Sequence, residues 1–236
     1  MLKIENLTKI YEGKAAVDHL NLHIQPGEIY GFIGHNGAGK TTTLKSVAGI
    51  LEYDEGEIYI NDISLKQSPI ECKRIMAYIP DNPDIYEFMT GIQYLNFIGD
   101  IYLVPIEERK ERIMKYAKMF ELENNLGQSV SAYSHGMKQK LAVMSALIHS
   151  PKLILMDEPF VGLDPVASHL LKQTMRQICD EGGAIFFSTH VLEVAEKLCD
   201  KVAIIKNGKL LRSGTMEEVK GDASLEEVFL ELEEKK

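Results

Sequence analysis

Residues 34–42 constrain this chain more than any other stretch of its sequence. They read Gly-His-Asn-Gly-Ala-Gly-Lys-Thr-Thr and follow residues 28–33, a short apolar segment that predicts a buried strand. The residues after Thr41 predict the first turns of a helix. Glycines let such a loop curl so that backbone N–H groups point inward at an anion, and the N-terminus of the next helix adds a favourable field. A glycine-rich turn that merely precedes Lys-Thr is the alternative, but the flanking strand and helix favour a loop that binds phosphate.

The residue types in this loop predict separate tasks. Lys40 supplies a mobile positive charge for the β- and γ-phosphates, and the hydroxyl of Thr41 can bind Mg²⁺. The pattern G-x-x-x-x-G-K-[ST] is that of the phosphate-binding loop, or P-loop, of nucleoside triphosphatases. The predicted nucleotide-binding residues of the loop are Asn36, Gly37, Ala38, Gly39, Lys40, Thr41 and Thr42.

Composition limits the class of protein. A chain of 236 residues predicts one large domain or two small ones. No apolar run reaches the length of about eighteen residues that suits a membrane span, and the N-terminus lacks the apolar stretch of a signal peptide. The 3 cysteines are widely spaced, which indicates reduced thiols in a cytosolic protein. The net charge of −9 disfavours a broad nucleic-acid surface, and the acidic residues 217–236 are interpreted as a solvated helical tail.

The order of apolar segments predicts an α/β protein with a helical insertion. Two strands, 2–8 and 15–24, surround a turn, and Tyr11 at its edge could form a platform for a base. From residue 90 to about 131 the pattern becomes helical: Thr90 and Gln93 fit a capping box, and a second helix starts at Pro105. The apolar stripes of these helices are interpreted as core rather than as a cofactor site. Further strands are predicted at 57–60, 75–79, 153–156 and 184–188, and a hairpin at 203–211.

Two acidic residues follow the apolar strand 153–156. A buried strand holds such carboxylates rigidly at the carboxyl edge of a sheet, where ligands of open α/β folds bind. Asp157 is placed to hold Mg²⁺ through water, and Glu158 can orient and deprotonate the water that attacks the γ-phosphate. Helix capping is the alternative role for this pair, but the P-loop in the same chain favours metal and water chemistry.

Residues 133–141, Tyr-Ser-His-Gly-Met-Lys-Gln-Lys-Leu, resemble the signature motif of ATP-binding cassette (ABC) ATPases, whose usual form is Leu-Ser-Gly-Gly-Gln. Three further segments resemble the same family: residues 161–164 its D-loop, His190 its switch histidine, and Tyr11 its adenine-stacking residue. The resemblance covers residues 2–213, and the joint order and spacing of these motifs are highly specific although each is weak alone.

The resemblance implies a nucleotide site shared between two chains. Two cassettes face each other head to tail, and each ATP lies between one P-loop and the signature of the other chain. In that arrangement Ser134 and the backbone at Gly136 contact the γ-phosphate across the interface. The resemblance further implies that His190 contacts the γ-phosphate and steadies the water near Glu158, with Lys40 stabilising charge.

Two departures from the family pattern affect the expected site. His135 replaces the first glycine of the signature and Met137 its glutamine; for His135 we favour capping of the helix over a pH-sensitive charge. Asp81 stands after Pro80 where the family places a glutamine that touches Mg²⁺ and water. A carboxylate is a stronger ligand than an amide for a hard cation, so our hypothesis is that Asp81 binds Mg²⁺ in the closed state.

We therefore expect an α/β fold: a P-loop NTPase core with a mixed, largely parallel sheet, an N-terminal antiparallel β region and an inserted helical subdomain. The predicted single domain divides into a core with its β subdomain (1–84 and 146–213), a helical subdomain with the signature (85–145) and an acidic tail (214–236).

The expected function is ATP hydrolysis that drives transport through separate membrane-spanning subunits, with a mild preference for export. The expected partners are a second copy or a homologous ABC subunit, and the membrane-spanning subunits, with residues 85–88 as docking candidates. We expect no nucleic-acid partner, and a cytoplasmic location attached to the inner face of the membrane. A soluble ABC ATPase acting on nucleic acid or ribosomes is the alternative. A P-loop kinase fails to explain residues 134–141 and His190.

Overall fold

The N-terminal strands form an antiparallel sheet. In the computed structural model, which describes residues 1–83 and 85–234, β1 (Leu2–Tyr11) pairs with β2 (Lys14–Ile24), and β1 also pairs with β4 (Glu55–Ile60). The short β5 (Ile63–Ser64) completes the order β2-β1-β4-β5. The predicted pair of strands around a turn is confirmed, with the turn at residues 12–13 in the left-handed region.

The second sheet positions the strand ends that matter for function. Its strands are β3 (Ile29–Ile33), β6 (Met76–Ile79), β7 (Leu153–Asp157), β8 (Ala184–Thr189), β9 (Lys201–Lys206) and β10 (Lys209–Thr215). Their order is β10-β9-β3-β8-β7-β6, and every neighbouring pair is parallel except β9 with β10. Strands β3, β7 and β8 are buried along their whole length, as expected for a parallel sheet covered on both faces. The hairpin predicted at Asn207-Gly208 joins β9 to β10, and both turn residues have positive φ.

The core helices are α1 (Lys40–Val47), α2 (Pro69–Arg74), α6 (Pro165–Asp180) and α7 (Leu192–Leu198). Two of the core helices, α1 and α6, begin within two residues of where the sequence predicts, whereas the short helix α2 was not predicted. Asp164 caps α6 by accepting a hydrogen bond from the Ala167 N–H at 2.8 Å, and Pro165 occupies the first turn.

The inserted region is helical, as predicted. It contains α3 (Gly91–Ile101), α4 (Ile106–Met119), a 3₁₀ turn (Val130–Ala132) and α5 (His135–Leu147). The capping box at Thr90 and Gln93 is confirmed in both of its hydrogen bonds. The apolar stripes pack into a cluster that continues to the central sheet, with Leu95, Ile113 and Phe120 fully covered. Where the inserted region is best divided from the core stays a prediction.

The acidic tail packs against the core instead of lying free in solvent. Helix α8 (Met216–Lys220) and helix α9 (Leu225–Glu234) follow β10, and α9 buries Leu225, Val228 and Phe229. The prediction of a helical tail is confirmed for residues 216–220 and 225–234, but the prediction that it is merely solvated is wrong, because its apolar residues share one face. Residues 84, 235 and 236, which belong to the predicted core and tail, lie outside the described residues.

Two further expectations concern the chain as a whole. All three cysteines, Cys72, Cys179 and Cys199, are buried free thiols, which agrees with the predicted reduced state. Burial raises the pKa of Cys179 to about 12, so that thiol stays protonated at neutral pH. Within residues 1–83 and 85–234, no helix combines the length and the apolar character that crossing a bilayer would require.

Candidate nucleotide site

The loop between β3 and α1 depends on glycine at two points of close approach. A Cβ on Gly39, which has φ +109, would lie 2.4 Å from the carbonyl oxygen of Ala16. A Cβ on Gly34 would lie 2.5 Å from the carbonyl oxygen of Ile205. The loop thus packs tightly against the backbone of β2 and β9. Only glycine at these two positions lets the loop follow this path into the N-terminus of α1.

Lys40 is buried within this loop. Its Nζ donates to the carbonyl oxygens of Gly34 at 2.6 Å and His35 at 3.3 Å, and it lies 3.7 Å from Oε1 of Glu158. Burial lowers the pKa of Lys40, and the nearby carboxylates of Glu158 and Asp157 oppose that shift. The side chain therefore sits as a desolvated positive charge above the curl of the loop, which is the arrangement that attracts a phosphate group.

Oxygen ligands meet at the end of β7. The hydroxyl of Thr41 donates to Oδ2 of Asp157 at 2.6 Å, and the hydroxyl of Ser188 donates to Oδ1 of the same carboxylate. Asp157 is 1% exposed, and the register of β7 against β8 places it directly beside Ser188. This set of hydroxyl and carboxylate oxygens, with no sulfur or imidazole, fits a hard cation such as Mg²⁺.

The protein supplies only part of a cation's ligands here. Among residues 1–83 and 85–234, no cluster of three His, Cys, Asp or Glu side chains could hold a metal ion. A cation at Thr41 and Asp157 would therefore need oxygens from water and from a bound phosphate to complete its shell, which is how Mg²⁺ binds in most phosphate sites.

The carboxylate of Glu158 lies between the buried ammonium group of Lys40 and the imidazole of His190. Its Oε1 is 2.9 Å from Nδ1 of His190, which follows β8, and its backbone has φ +47. The backbone N–H of Glu158 donates to the carbonyl and hydroxyl oxygens of Ser188 at 3.2 and 3.1 Å, so this uncommon conformation is held by β8. A carboxylate fixed in this way can accept a proton from water while the histidine orients it.

These groups surround one cleft of about 350 Å³. The cleft is lined by Ala16, His35, Asn36, Gly37, Gly39, Lys40, Thr41, Thr42, Asp81, Asp157 and Glu158. Asp81 thus reaches the same cleft as Thr41 and Asp157, and its Oδ1 accepts the N–H of Asn82 at 2.8 Å. Ala38 is buried beneath the loop, and its N–H donates to the His35 carbonyl at 3.1 Å.

Tyr11 lies beside this cleft in a smaller one. That second cleft has a volume of about 190 Å³ and shares Ala16 and Gly37 with the first. Tyr11 is 46% exposed, and Nζ of Lys9 lies 5.3 Å from the centroid of its ring. A base attached to phosphates in the first cleft could therefore reach this exposed ring.

The signature residues lie outside the cleft. Ser134 caps α5, since its hydroxyl accepts the N–H of Met137 at 3.2 Å, and neither Ser134 nor Gly136 lines the cleft. The prediction that His135 caps this helix is therefore wrong. His135 is the first residue of α5, and its ring packs on Gly162, where a Cβ would lie 2.5 Å from the imidazole Cδ2.

Two ion pairs tie the signature helix to neighbouring segments. Lys140 Nζ lies 3.0 Å from Oδ2 of Asp164 at the start of α6, and Lys138 pairs with Glu87 in the segment before α3. The signature end of α5 is thus attached both to the 161–164 loop and to the segment that follows Asp81.

Sequence reasoning missed three contributors to the cleft. Ala16 and His35 line it, and Ser188 holds the carboxylate of Asp157 and the backbone of Glu158. A polar Ser188 near the end of an apolar strand was a usable signal, but its role depends on β8 lying beside β7. Ala16 gave no signal, because it contributes through its backbone and small size.

Known proteins resemble this chain over nearly its whole length. A sequence profile described as ABC transporter matches residues 17–161. The chain belongs to the ABC transporter family. It is 33% identical to the ABC-type transporter ATP-binding protein EcsA of Bacillus subtilis, across 98% of this chain and 96% of EcsA. The predicted recognition as an ABC transporter ATP-binding protein is confirmed.

Two solved structures connect the ABC transporter family to this fold. The ATP-binding subunit of an ABC transporter matches 99% of this chain and 100% of its own length, with a TM-score of 0.95 and 34% identity. A dimeric ATP-binding cassette in a post-hydrolysis state, bound to ADP and Pi, matches 92% of this chain and 99% of its own length, with a TM-score of 0.84 and 25% identity. The predicted P-loop NTPase fold is confirmed, and ATP binding and hydrolysis are supported for this ABC ATPase.

Proposed function

We propose that this chain hydrolyses ATP in a head-to-tail dimer and drives transport through separate membrane-spanning subunits. The observation that carries the proposal is the convergence of Lys40, Thr41, Asp157, Glu158 and His190 at the carboxyl edge of adjacent parallel strands. This placement gives a triphosphate a buried positive charge, a cation site and a carboxylate next to an imidazole.

In this proposal each part of the cleft has one task toward ATP. The backbone of residues 36–42 and Nζ of Lys40 bind the phosphate groups, and the exposed ring of Tyr11 stacks on the base. Glu158 orients the attacking water and accepts its proton, and His190 holds that carboxylate at 2.9 Å. Phosphoryl transfer requires mainly positioning and charge stabilisation, which these fixed side chains supply.

Thr41, Asp157 and Asp81 are the residues that we propose hold Mg²⁺. The Thr41 hydroxyl and the Asp157 carboxylate are already in contact, and Asp81 lines the same cleft. When bound, the cation neutralises negative charge on the phosphate oxygens of the substrate. The hydrogen bonds of Thr41 and Ser188 to the Asp157 carboxylate hold the oxygens that would bind the cation.

A second chain completes the site in this proposal. Ser134 and Gly136 stand at the N-terminus of α5 and do not line the cleft, which supports a role for them toward a nucleotide bound to another subunit. The partial positive charge at the end of that helix favours contact with a γ-phosphate. The partner is a second copy of this chain or a homologous ABC subunit, and dimerisation of the purified chain alone with ATP distinguishes the first from the second.

The segment after Asp81 is the proposed contact with the membrane-spanning subunits. Tyr86 and Phe88 are 50% and 81% exposed, and their ring centroids lie 5.7 Å apart. An exposed aromatic pair of this kind suits the docking of a partner. Ile85, in contrast, is 6% exposed and belongs to the core, so the docking surface consists of Tyr86, Glu87 and Phe88.

The proposal therefore places the chain on the inner face of the cell membrane, in the cytoplasm, with no nucleic-acid partner. The mild preference for export rests on the form of the signature at residues 133–139 and on the short tail. Purification of the chain from detergent-solubilised membranes, with identification of the bound subunit, tests the membrane location and the partner. Transport assays in vesicles then test the direction. Tight, salt-sensitive binding of DNA or RNA by the purified protein would contradict the proposal.

Hydrolysis itself is tested by the dependence of the rate on protein concentration. Because the proposed site needs two chains, phosphate release per chain should rise with protein concentration until dimers form, and then level off. A rate per chain that is constant from the most dilute sample upward would contradict a site shared between chains.

A further inference from the structure

His35 connects the phosphate loop to the C-terminal helix. It is the second residue of the glycine-rich stretch, and its side chain is 66% exposed. Its ring lies 5.0 Å from that of Phe229 in α9, in an edge-to-face arrangement with 68° between the planes. Its Nε2 lies 3.8 Å from Oε2 of Glu233 on the same helix. The tail of the chain therefore touches the loop that binds phosphate.

The backbone of the same residue supports the inside of the loop. The carbonyl oxygen of His35 accepts hydrogen bonds from the Ala38 N–H at 3.1 Å and from Lys40 Nζ at 3.3 Å. His35 also lines the cleft that contains Lys40 and Glu158. A movement of His35 would thus move both the curl of the loop and the ammonium group of Lys40.

Helix α9 is anchored firmly enough to act as a support. Phe229 is 6% exposed, and Lys206 of β9 donates to the carbonyl oxygen of Glu233 at 2.6 Å. At the other end of α9, the N–H of Leu225 donates at 3.3 Å to Glu196 in α7, the helix that follows His190. The helix therefore spans from α7 to the phosphate loop and is fixed at both ends.

We infer that His35 is a positioning residue, and that its contact with Phe229 uses the C-terminal helix to hold the phosphate loop ready for the nucleotide. The inference rests on the proposed nucleotide site. A loop held in its binding conformation loses less freedom when the ligand binds, so the contact strengthens binding. An edge-to-face aromatic pair contributes about 0.5–1.5 kcal/mol, which corresponds to about a two- to tenfold change in affinity at most.

The test measures the affinity of the purified full-length chain for Mg-ADP by titration calorimetry. In the proposed site, the phosphates of ADP lie on the phosphate loop of one chain, so ADP should bind without the second chain of the dimer. His35→Ala should bind ADP about two- to tenfold more weakly, because the ring contact is lost. His35→Phe keeps a ring against Phe229 and should stay within about twofold of the unsubstituted protein. Leu230→Ala, an exposed position on α9, is the matched control and should bind normally.

A double-substitution cycle separates this contact from a general loss of stability. Phe229→Leu removes the ring of Phe229 but keeps an apolar side chain. Because His35→Ala has already lost the ring contact, adding Phe229→Leu to that variant should weaken ADP binding no further. Additive effects, or normal affinity of His35→Ala, would overturn the inference. Glu233→Gln should change affinity less than about twofold, because a pair at 3.8 Å with one partner exposed is weak.

Melting temperatures of all variants show whether each chain is folded. If Phe229→Leu is too unstable to measure, the comparison of His35→Ala with His35→Phe decides alone: equal affinities of these two variants contradict the inference. Failure of the unsubstituted protein to bind ADP has a different meaning, because it would overturn the nucleotide site itself.

Discussion

The phosphate cleft and the signature end of α5 differ in how complete they are within one chain. In the cleft, the functional groups already contact one another: Thr41 with Asp157 at 2.6 Å, and Glu158 with His190 at 2.9 Å. At the signature, Ser134 caps its own helix, and neither Ser134 nor Gly136 is among the residues that line the cleft. One half of the proposed site is thus assembled by the fold of a single chain, and the other half depends on a second chain.

This difference has a physical origin. The cleft is built where adjacent parallel strands end, so strand pairing fixes its side chains relative to one another. The signature lies at the N-terminal end of α5, which ion pairs such as Lys140 with Asp164 attach to neighbouring segments, whereas residues 141–147 of the same helix are buried in the core. Ion pairs with one exposed partner, such as Asp164 or Glu87, can be exchanged at modest cost, whereas a strand register cannot shift without unfolding the sheet. The cleft should therefore be the rigid partner and the signature the adjustable one.

The largest effect on ATP hydrolysis should come from substitution of Glu158 in the cleft. Glu158→Gln removes the group that accepts the proton of water but keeps its size, so ATP hydrolysis should fall about 10²–10⁴-fold. ATP binding should persist, and the variant should accumulate as a dimer with ATP, measured by light scattering after gel filtration. Glu193→Gln, an exposed carboxylate on α7, is the control. A Glu158→Gln chain that stays monomeric at saturating ATP would contradict the shared site.

A mixing experiment tests whether the two regions act on the same nucleotide from different chains. Lys40→Ala disables the cleft and Ser134→Glu disables the signature, so each variant alone should be nearly inactive. When they are mixed, half of the dimers contain one of each, and one of the two sites in such a dimer is intact. The mixture should therefore recover about a quarter of the unsubstituted rate of phosphate release, if chains exchange freely.

The control for the mixing experiment pairs Lys40→Ala with a chain that carries both substitutions. No dimer of that mixture contains an intact cleft, so its activity should stay at the level of the parents. Equal activity of the two mixtures would show that Ser134 does not serve a nucleotide bound to another chain.

A smaller effect is expected at Asp81, which lies at the border of the two regions. Asp81 lines the cleft, and the segment that follows it is paired through Glu87 with Lys138 of α5. If its carboxylate binds Mg²⁺, Asp81→Ala should raise the Mg²⁺ concentration for half-maximal ATPase several-fold. Asp222→Ala, an exposed acid in the tail, should leave this concentration unchanged. An unaltered Mg²⁺ requirement in Asp81→Ala would reject the metal role.

The sequence predicted the cleft better than its surroundings, and the reason is physical. Residues 34–42 and the pair Asp157-Glu158 are identified by local patterns, since a glycine-rich turn and a strand end determine their own geometry. The neighbours Ser188 and Phe229 could not be assigned, because they act through strand order and through the packing of α9. Such contacts join residues far apart in the chain.

Two of the wrong predictions have local causes instead. Ser134 and His135 are adjacent, and sequence alone could not decide which of them lies just outside the helix and caps it. The tail was read from its charge, although Leu225, Val228 and Phe229 form an apolar face that needed a surface to cover it. Charge density therefore masked a helical periodicity that was present in the sequence.

The smallest effect concerns His149, which joins the two regions at the end of α5. Its ring stacks on Tyr102, which caps α3, with 3.6 Å between centroids, and its Nε2 donates to the Met76 carbonyl of β6 at 3.1 Å. Among the described residues, its buried Nδ1 has no hydrogen-bond partner, so a proton there would be unsatisfied. Burial accordingly lowers the pKa of His149 to about 4.

The pH dependence of stability follows from that shift. In the unfolded chain the histidine takes up its proton near pH 6.5, whereas in the folded chain it does so only near pH 4. Its contribution to stability is therefore complete above pH 6.5 and is lost as the pH falls from 6.5 toward 4, by at most about 2 kcal/mol at pH 5. His149→Gln keeps a donor for Met76 but does not titrate. The melting-temperature difference between the unsubstituted protein and this variant should thus shrink by a few degrees between pH 7.5 and pH 5. Melting curves that shift in parallel with pH would mean that His149 is not a buried neutral link between the adjustable helices and the rigid sheet.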